Sequence, residues 1–310
     1  MAGRIAVIGS NMVDLVTYTD RIPVKGETIE APAFAMGFGG KGSNQAVAAA
    51  RLGAEVMMVT KVGDDMFGPN TRQNYLDNGI DARYVEQVPG LNSGVAPIFV
   101  DSTGENCIFI IKGANARLMP ADVDNAAEAL KQCALIVLQL EVPLETVYRA
   151  IAFGAEHGIP TLLNPAPAAP DLDAGRCSQA TFLVPNETEL ATLTGLPTGT
   201  NAEVILAAQS MLAKGIRTVI VTMGKKGSML VTEAGSQHIP GFDGVKAVDT
   251  TGAGDAFIGS FAHFYVLSGD LVSSLRSATL YAADAVTKPG TQKSFASAPE
   301  FAEFLRKHGK

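Results

Sequence analysis

The sequence predicts an α/β fold: a mostly parallel central sheet with helices on both faces, carrying a small antiparallel β lid. Three observations point there. From residue 120 onward, short β-branched apolar runs alternate with helical patterns, which implies right-handed βαβ units. Two strand–turn–strand segments, at 15–36 and 93–111, stand apart from that rhythm. The length of 310 residues, 47% of them hydrophobic, suits one large core with an insertion.

The elements follow in order. "RIAVIGS" is a short buried strand ending at Gly9. Residues 15–36 mix strand formers with the turn Pro-Val-Lys-Gly. "GSNQAVAAARLGA" is an alanine-rich helix closed by Gly53. "EVMMVTKVG" is a strand, and a helix follows around 68–78. "VAPIFV" and "NCIFII", joined by a turn at 101–104, form a second hairpin. The two hairpins are expected to pair outside the body. The lid is then 15–36 and 93–111, and the core 1–14, 37–92 and 112–310.

Farther on, "ADVDNAAEALKQC" is helical, "ALIVLQLE" a buried strand, "PLETVYRAIAFGAEHG" helical, and "IPTLLNPAP" and "ATFLVPN" strands. The helix "NAEVILAAQSMLAKG", the strand "IRTVIVTMG" and a hairpin complete the sheet, and helices at 254–267 and 271–286 close the chain. Ligands of such sheets bind beyond the carboxyl ends of the strands. Asp14, Glu141, Asn164, Asn186 and Gly224 each follow an apolar run and are expected to line that edge.

Composition excludes several classes. A net charge of −7 argues against a nucleic-acid partner. No apolar run reaches the ~18 residues of a membrane helix. The N-terminal run is too short for a signal peptide, so the expected compartment is the cytoplasm. Three scattered cysteines without a CxxC pair predict buried, reduced thiols, not zinc ligands or disulfides.

Four stretches carry chemistry. In "DTTGAGDAFIGS", Gly252 and Gly254 loosen a turn ahead of a helix that Asp255 opens. Unpaired first-turn amides make such an end an anion site. Asp255 beside it could take a proton from an attacking hydroxyl, or could simply cap the helix. "GFGGKGSNQAVAAARLG" matches G-x-G-x-x-G, but a hairpin separates it from the first strand, against a dinucleotide fingerprint and an NAD-dependent oxidoreductase. It remains a ligand loop offering Lys41 and Asn44, or a plain helix start. In "VPNETE", Asn186 and Glu189 share a face suited to hydrated Mg²⁺ and phosphate, or to capping. "TMGKKG", residues 222–227, is a glycine turn that could follow a nucleotide, or an ordinary hairpin.

Together, and in this order, these stretches resemble the ribokinase-like carbohydrate kinase family over essentially the whole chain. The resemblance implies that Asp255 is the general base and that the amides of Gly252, Ala253 and Gly254 receive the phosphoryl group. It implies that Met12, Val13, Asp14, Gly40, Lys41, Gly42, Ser43, Asn44 and Glu141 surround the sugar. ATP is expected against Asn186, Thr222, Met223, Gly224, Lys225, Lys226, Gly227 and Thr279, with Gly254 and Asp255 beside its γ-phosphate. Asn186 and Glu189 would serve Mg²⁺. Asp249, Thr251, Ala285, Lys288, Gly290 and Ser294 would hold a monovalent cation, K⁺.

One departure bears on the sugar. The ribokinase branch carries G-S-x-N-x-D after the first strand, and here Met12 stands where the asparagine is expected. A thioether cannot replace an amide's hydrogen bonds to a hydroxyl. This predicts 2-deoxy-D-ribose, with D-ribose as a second substrate, and "GSNMVDL" and "LQLEVPLETVY" resemble members acting on deoxyribose. An ordinary ribose kinase with a repacked pocket and a nucleoside kinase are the alternatives. Apolar lid residues such as Phe99, Ile108 and Ile110 predict a homodimer through the lid sheets.

Overall fold

The computed structural model describes residues 3–102 and 106–310, so the expected turn at 101–104 lies partly outside the described residues. The strands are Arg4–Ile8 (β1), Met12–Tyr18 (β2), Ala33–Gly39 (β3), Val56–Gly63 (β4), Asp81–Val88 (β5), Val95–Val100 (β6) and Asn106–Ile108 (β7). Then come Cys133–Leu138 (β8), Thr161–Leu163 (β9), Phe182–Leu183 (β10), Thr218–Thr222 (β11), Gly227–Thr232 (β12) and Gly235–Pro240 (β13). The helices are Lys41–Arg51 (α1), Phe67–Asp77 (α2), Pro120–Asn125 (α3), Ala127–Leu130 (α4), Leu144–His157 (α5), Glu187–Thr194 (α6), Asn201–Leu212 (α7), Ala253–Ser268 (α8), Leu271–Ala285 (α9) and Ala298–Lys307 (α10).

The large sheet has the order β13-β12-β11-β10-β9-β8-β1-β4-β5. Every pairing from β11 to β5 is parallel, and β12 and β13 add an antiparallel hairpin at one edge. Strands such as β1 and β8 read as unbroken apolar runs because both their faces are covered. One face packs on α1, α2, α8, α9 and α10, through Val47, Tyr75, Phe261, Leu275 and Phe301. The other packs on α3 to α7, through Val123, Leu130, Ile151, Leu190 and Val204. The expected helix after residue 120 is in fact the two short helices α3 and α4.

β5 was not among the strands expected from the sequence. "DARYVEQV" lies at the sheet edge and spaces its charged residues without clean alternation, so neither strand pattern is legible in it.

The small sheet has the order β3-β2-β6-β7. Its two hairpins, β2–β3 and β6–β7, are antiparallel, and they join through β2 and β6 side by side in parallel. The sheet begins at Met12, only four residues after β1 ends, so Asp14 lies within it and not at the rim of the large sheet. Cys107, on the outer strand β7, is exposed, which corrects the expectation of three buried thiols; Cys133 and Cys177 are buried. Among the described residues no helix is long and apolar enough to cross a membrane.

The crossing of α1 and α8 sets the working end of the molecule. It is close because Gly259 has no side chain: a Cβ there would lie 2.4 Å from the Gln45 carbonyl oxygen and 2.7 Å from Ala48 Cβ. The obstacle is backbone, so the helices would have to part. Gly259→Ala is therefore expected to destabilise the fold by about 1–3 kcal/mol, read as a lower urea midpoint. An unchanged midpoint would show that the two helices separate freely.

Candidate active site

The site is built where the amino ends of α1 and α8 meet beyond the carboxyl ends of β1 and β8 to β11. Gly40 turns the chain from β3 into α1 with φ 86°. A side chain there would come within 2.7 Å of the Met12 nitrogen, so this turn demands glycine. The first amides of α1 are all engaged. Lys41 N–H donates to Glu141 Oε2 at 2.8 Å, and Ser43 N–H to the Ser10 carbonyl at 2.8 Å. Gly42 N–H reaches Ser10 Oγ at 3.3 Å, and that hydroxyl in turn donates to Glu141. Glu141 therefore caps α1 from a hundred residues away.

The amino end of α8 differs. Gly252, at φ 76°, is the residue before the helix, and Asp255 is the third residue inside it. Asp255 neither opens nor caps the helix, contrary to both sequence expectations. Its carboxylate turns to α1: Asn44 Nδ2 donates to Oδ2 at 2.9 Å and Gln45 Nε2 to Oδ1 at 2.9 Å. First-turn amides have no intrahelical acceptor. Of the three expected to bind phosphate, the Ala253 N–H is engaged, donating to the Thr250 carbonyl at 3.2 Å. Space around Gly254 is open, since a Cβ there would meet no atom within 4 Å.

Charge concentrates here. Burial pushes the Asp14 carboxyl up to about 7, helped by the negative charges of Glu141 and Asp255. Burial also raises Glu189, opposed by the Asn186 N–H and by Lys41. For Lys41, burial works to lower the ammonium, but Asp255, Glu141 and Glu189 together hold it above the usual lysine value. These mutual influences place Asp14, Lys41, Glu141, Glu189 and Asp255 around one space.

Other expected residues are distributed around this centre. Met12 is buried on the same face of β2 as Asp14, its sulfur 3.8 Å from Asn115 Nδ2. Val13 alternates to the opposite face and lines a cleft of about 230 Å³ with Met36, Phe38 and Phe67, so it does not share a face with Asp14. Asn186 and Glu189 form a reciprocal cap on α6, Glu189 N–H to Asn186 Oδ1 at 2.7 Å and Asn186 N–H to Glu189 Oε2 at 2.8 Å. Residues 222–227 form the turn from β11 into β12, with Met223 buried and Lys226 paired to Glu187 at 2.8 Å. Thr279 Oγ1 donates to the Leu275 carbonyl within α9.

The residues expected to hold a monovalent cation lie on two loops tied by Asp249. Its Oδ1 accepts from Thr251 N–H at 2.9 Å and its Oδ2 from Gly290 N–H at 2.8 Å. Ser294 Oγ donates to the Thr291 carbonyl and Lys288 N–H to the Ala285 carbonyl.

Residues 2–298 match the pfkB family carbohydrate kinase. The chain belongs to this family. This kinase is 58% identical over 301 residues to a deoxyribokinase of Salmonella typhi, covering 97% of the chain and 98% of that relative. It is 39% identical to the ribokinase of Bacillus subtilis over 302 residues, 97% and 99% of the two chains. The structure of Arabidopsis thaliana ribokinase complexed with ribose and ATP superposes with a TM-score of 0.93 at 30% identity, covering 99% of each chain.

The sequence alone assigns no role to four polar groups of this kinase: Ser10, Gln45, Gln139 and Gln292. Gln45 stands beside Asn44 in a legible motif, and its signal was an amide on an otherwise alanine-rich helix. Gln139 lies in the stretch "LQLEVPLETVY" two residues before Glu141, with nothing there to mark its role, and Gln292 belongs to none of the four motifs.

A pH effect follows from Asp14. Its folded-state value of about 7 lies above the ordinary carboxylate value near 3.8, so the folded chain takes up a proton. Ionisation then costs stability as pH rises across that window. Asp14→Asn removes the cost, so its Tm advantage over the native chain should be small at pH 4, grow by several degrees toward pH 7 and level off above it. A pH-independent difference would contradict the burial of Asp14.

Proposed function

We propose that this kinase transfers the γ-phosphoryl group of ATP to the 5-hydroxyl of a free pentose, preferring 2-deoxy-D-ribose and accepting D-ribose. One observation carries the direction of transfer. The first amides of α1 are consumed by Glu141 and Ser10, whereas the amino end of α8 opens onto free space at Gly254 with Asp255 beside it. The phosphoryl group therefore belongs at α8 and the sugar between α8 and the residues of β2 and α1. The relatives named deoxyribokinase and ribokinase support pentose as the sugar and ATP as the donor.

In this assignment Asp255 accepts the proton of the 5-hydroxyl as it attacks in line. The amides of Gly252 and Gly254, joined by Ala253 once it leaves Thr250, stabilise the charge on the moving phosphoryl oxygens. Asp14 and Glu141 accept hydrogen bonds from the sugar, Asn44 donates to it, and Lys41 balances the three carboxylates. Gly40, Gly42 and Ser43 bring the backbone of α1 against it. Positioning and charge stabilisation supply most of what phosphoryl transfer requires.

The remaining residues fit the nucleotide side. Residues 222–227, Asn186 and Thr279 would line ATP. The capping box uses Asn186 Oδ1 and Glu189 Oε2, so Glu189 would meet Mg²⁺ with its other oxygen, through water; a hard carboxylate suits that ion. Mg²⁺ supplies neutralisation of phosphate charge. For Asp249, Thr251, Ala285, Lys288, Gly290 and Ser294, a donor set of carbonyls and a hydroxyl with one carboxylate suits K⁺ better than a transition metal. K⁺ supplies ordering of the loop that leads into α8.

Met12 supports deoxyribose: it puts a thioether, already in contact with Asn115, on the face that Asp14 presents. The small sheet would act as a lid, with residues 15–36 and 93–111 moving against the core. Its exposed Phe34 and Met36 share the face of the sheet opposite to Asp14 and offer an apolar surface fit for a homodimer in the cytoplasm.

Two measurements test this. ADP release should be fastest with 2-deoxyribose among deoxyribose, ribose, fructose and adenosine, and Asp255→Asn should lower kcat by at least about a thousandfold; retained turnover in that variant removes Asp255 as the base. Met12→Asn should move the kcat/KM ratio toward ribose by on the order of tenfold. A ratio that stays put would mean that Met12 only repacks the pocket.

A further inference from the structure

Asp255 accepts one amide donor on each oxygen, and each of those amides is itself held by a second glutamine. Asn44 Nδ2 reaches Oδ2, while Asn44 Oδ1 accepts from Gln292 Nε2 at 3.1 Å. Gln45 Nε2 reaches Oδ1, while Gln45 Oε1 accepts from Gln139 Nε2 at 2.6 Å. All these side chains are buried.

The amide oxygen and nitrogen have nearly the same shape, so packing alone does not choose between the two orientations of an amide; hydrogen bonds do. A reversed Asn44 would set its oxygen 2.9 Å from Asp255 Oδ2, acceptor against acceptor, away from water. Gln292 forbids that reversal only if its own amide is fixed, and it is. Asn74 Nδ2 donates to Gln292 Oε1 at 3.0 Å, leaving Gln292 Nε2 to face Ser43 Oγ at 3.0 Å as well as Asn44. Arg51 Nη1 holds the Gln292 carbonyl at 2.5 Å.

The second arm has the same logic. Gln45 Nε2 also donates to Asn164 Oδ1 at 3.1 Å, and Asn164 Nδ2 donates to the Val184 carbonyl at 2.9 Å, so its direction ends on main chain. Gln139 gives up a partner to serve it: Gln139 Oε1 is buried without a hydrogen bond. Turning Gln139 over would satisfy nothing, because its oxygen would then oppose the oxygen of Gln45. A buried orphan acceptor calls for an explanation, and this geometry supplies one.

We propose that Gln292 and Gln139 are positioning residues of this kinase, each locking an amide whose donor end holds one oxygen of the Asp255 carboxylate. The proposal rests on Asp255 as the base. The first arm also runs from α2 through the loop at 286–294 to α1 and α8. That loop carries Gly290 and Ser294, so its register reaches Asp255 through Gln292.

The test is a pair of double-mutant cycles with kcat, the KM for ATP and the fraction folded measured for each variant. Gln292→Met and Gln139→Met keep the length of the side chain and remove the donor. Each is expected to lower kcat per folded molecule by on the order of tenfold while leaving the KM for ATP unchanged. Gln292→Met should cost nothing further in an Asn44→Ala background, nor Gln139→Met in a Gln45→Ala background, because each acts through the residue already removed. Multiplicative losses, or losses that vanish when kcat is counted per folded molecule, overturn the proposal. Should Gln139→Met not fold, the Gln292 cycle decides alone. Asp255→Asn separates the two levels: turnover in that variant removes the base, whereas an inactive Asp255→Asn with multiplicative cycles removes only the relay.

Discussion

The contact between Asp255 and the amides of Asn44 and Gln45 joins two helix starts that are more than two hundred residues apart in sequence. Helix starts carry positive partial charge and exposed N–H groups, so two of them meeting in one place attract anions and repel each other. The carboxylates settle this. Glu141 takes the end of α1, and Asp255 bridges from α8 to α1. What is left over is the outward end of α8, and that asymmetry defines where a transferred anion would sit.

The same crowding explains the charges. Asp14 arrives from the small sheet, Glu141 from the end of β8 and Asp255 from α8, with Lys41 as the cation among them. Lys41 balances Asp255, Glu141 and Glu189, whereas Asp14 is driven toward protonation by its burial and by the negative charges of Glu141 and Asp255. The arrangement costs folding stability. Functional sites characteristically hold such costs, and the well-covered core on both faces of the sheet offsets them.

Much of the fold was legible because its signals are local. Alternating apolar runs announce β8 to β11 and their helices, and glycine turns announce the starts of α1 and α8. Legibility failed where the local pattern was ambiguous or shared. β5 sits at an edge with charges on both sides of its pleat. Asn186 and Glu189 have a spacing that serves a cap and a ligand alike, and the structure displays the cap. The resemblance sets Val13 with Asp14 around the sugar, yet the two-residue period of a strand sends neighbours to opposite faces.

By itself, the sequence determined the α/β class, the two hairpins and the stretches that mark a carbohydrate kinase, because periodicity and turn chemistry act over a few residues. Only the tertiary structure decided which groups meet: that Glu141 caps α1, that Asp255 lies inside α8 facing two amides, and that Gln139 and Gln292 stand behind them. Those contacts span a hundred residues and more. They depend on strand order and helix crossing, which no short window of sequence contains.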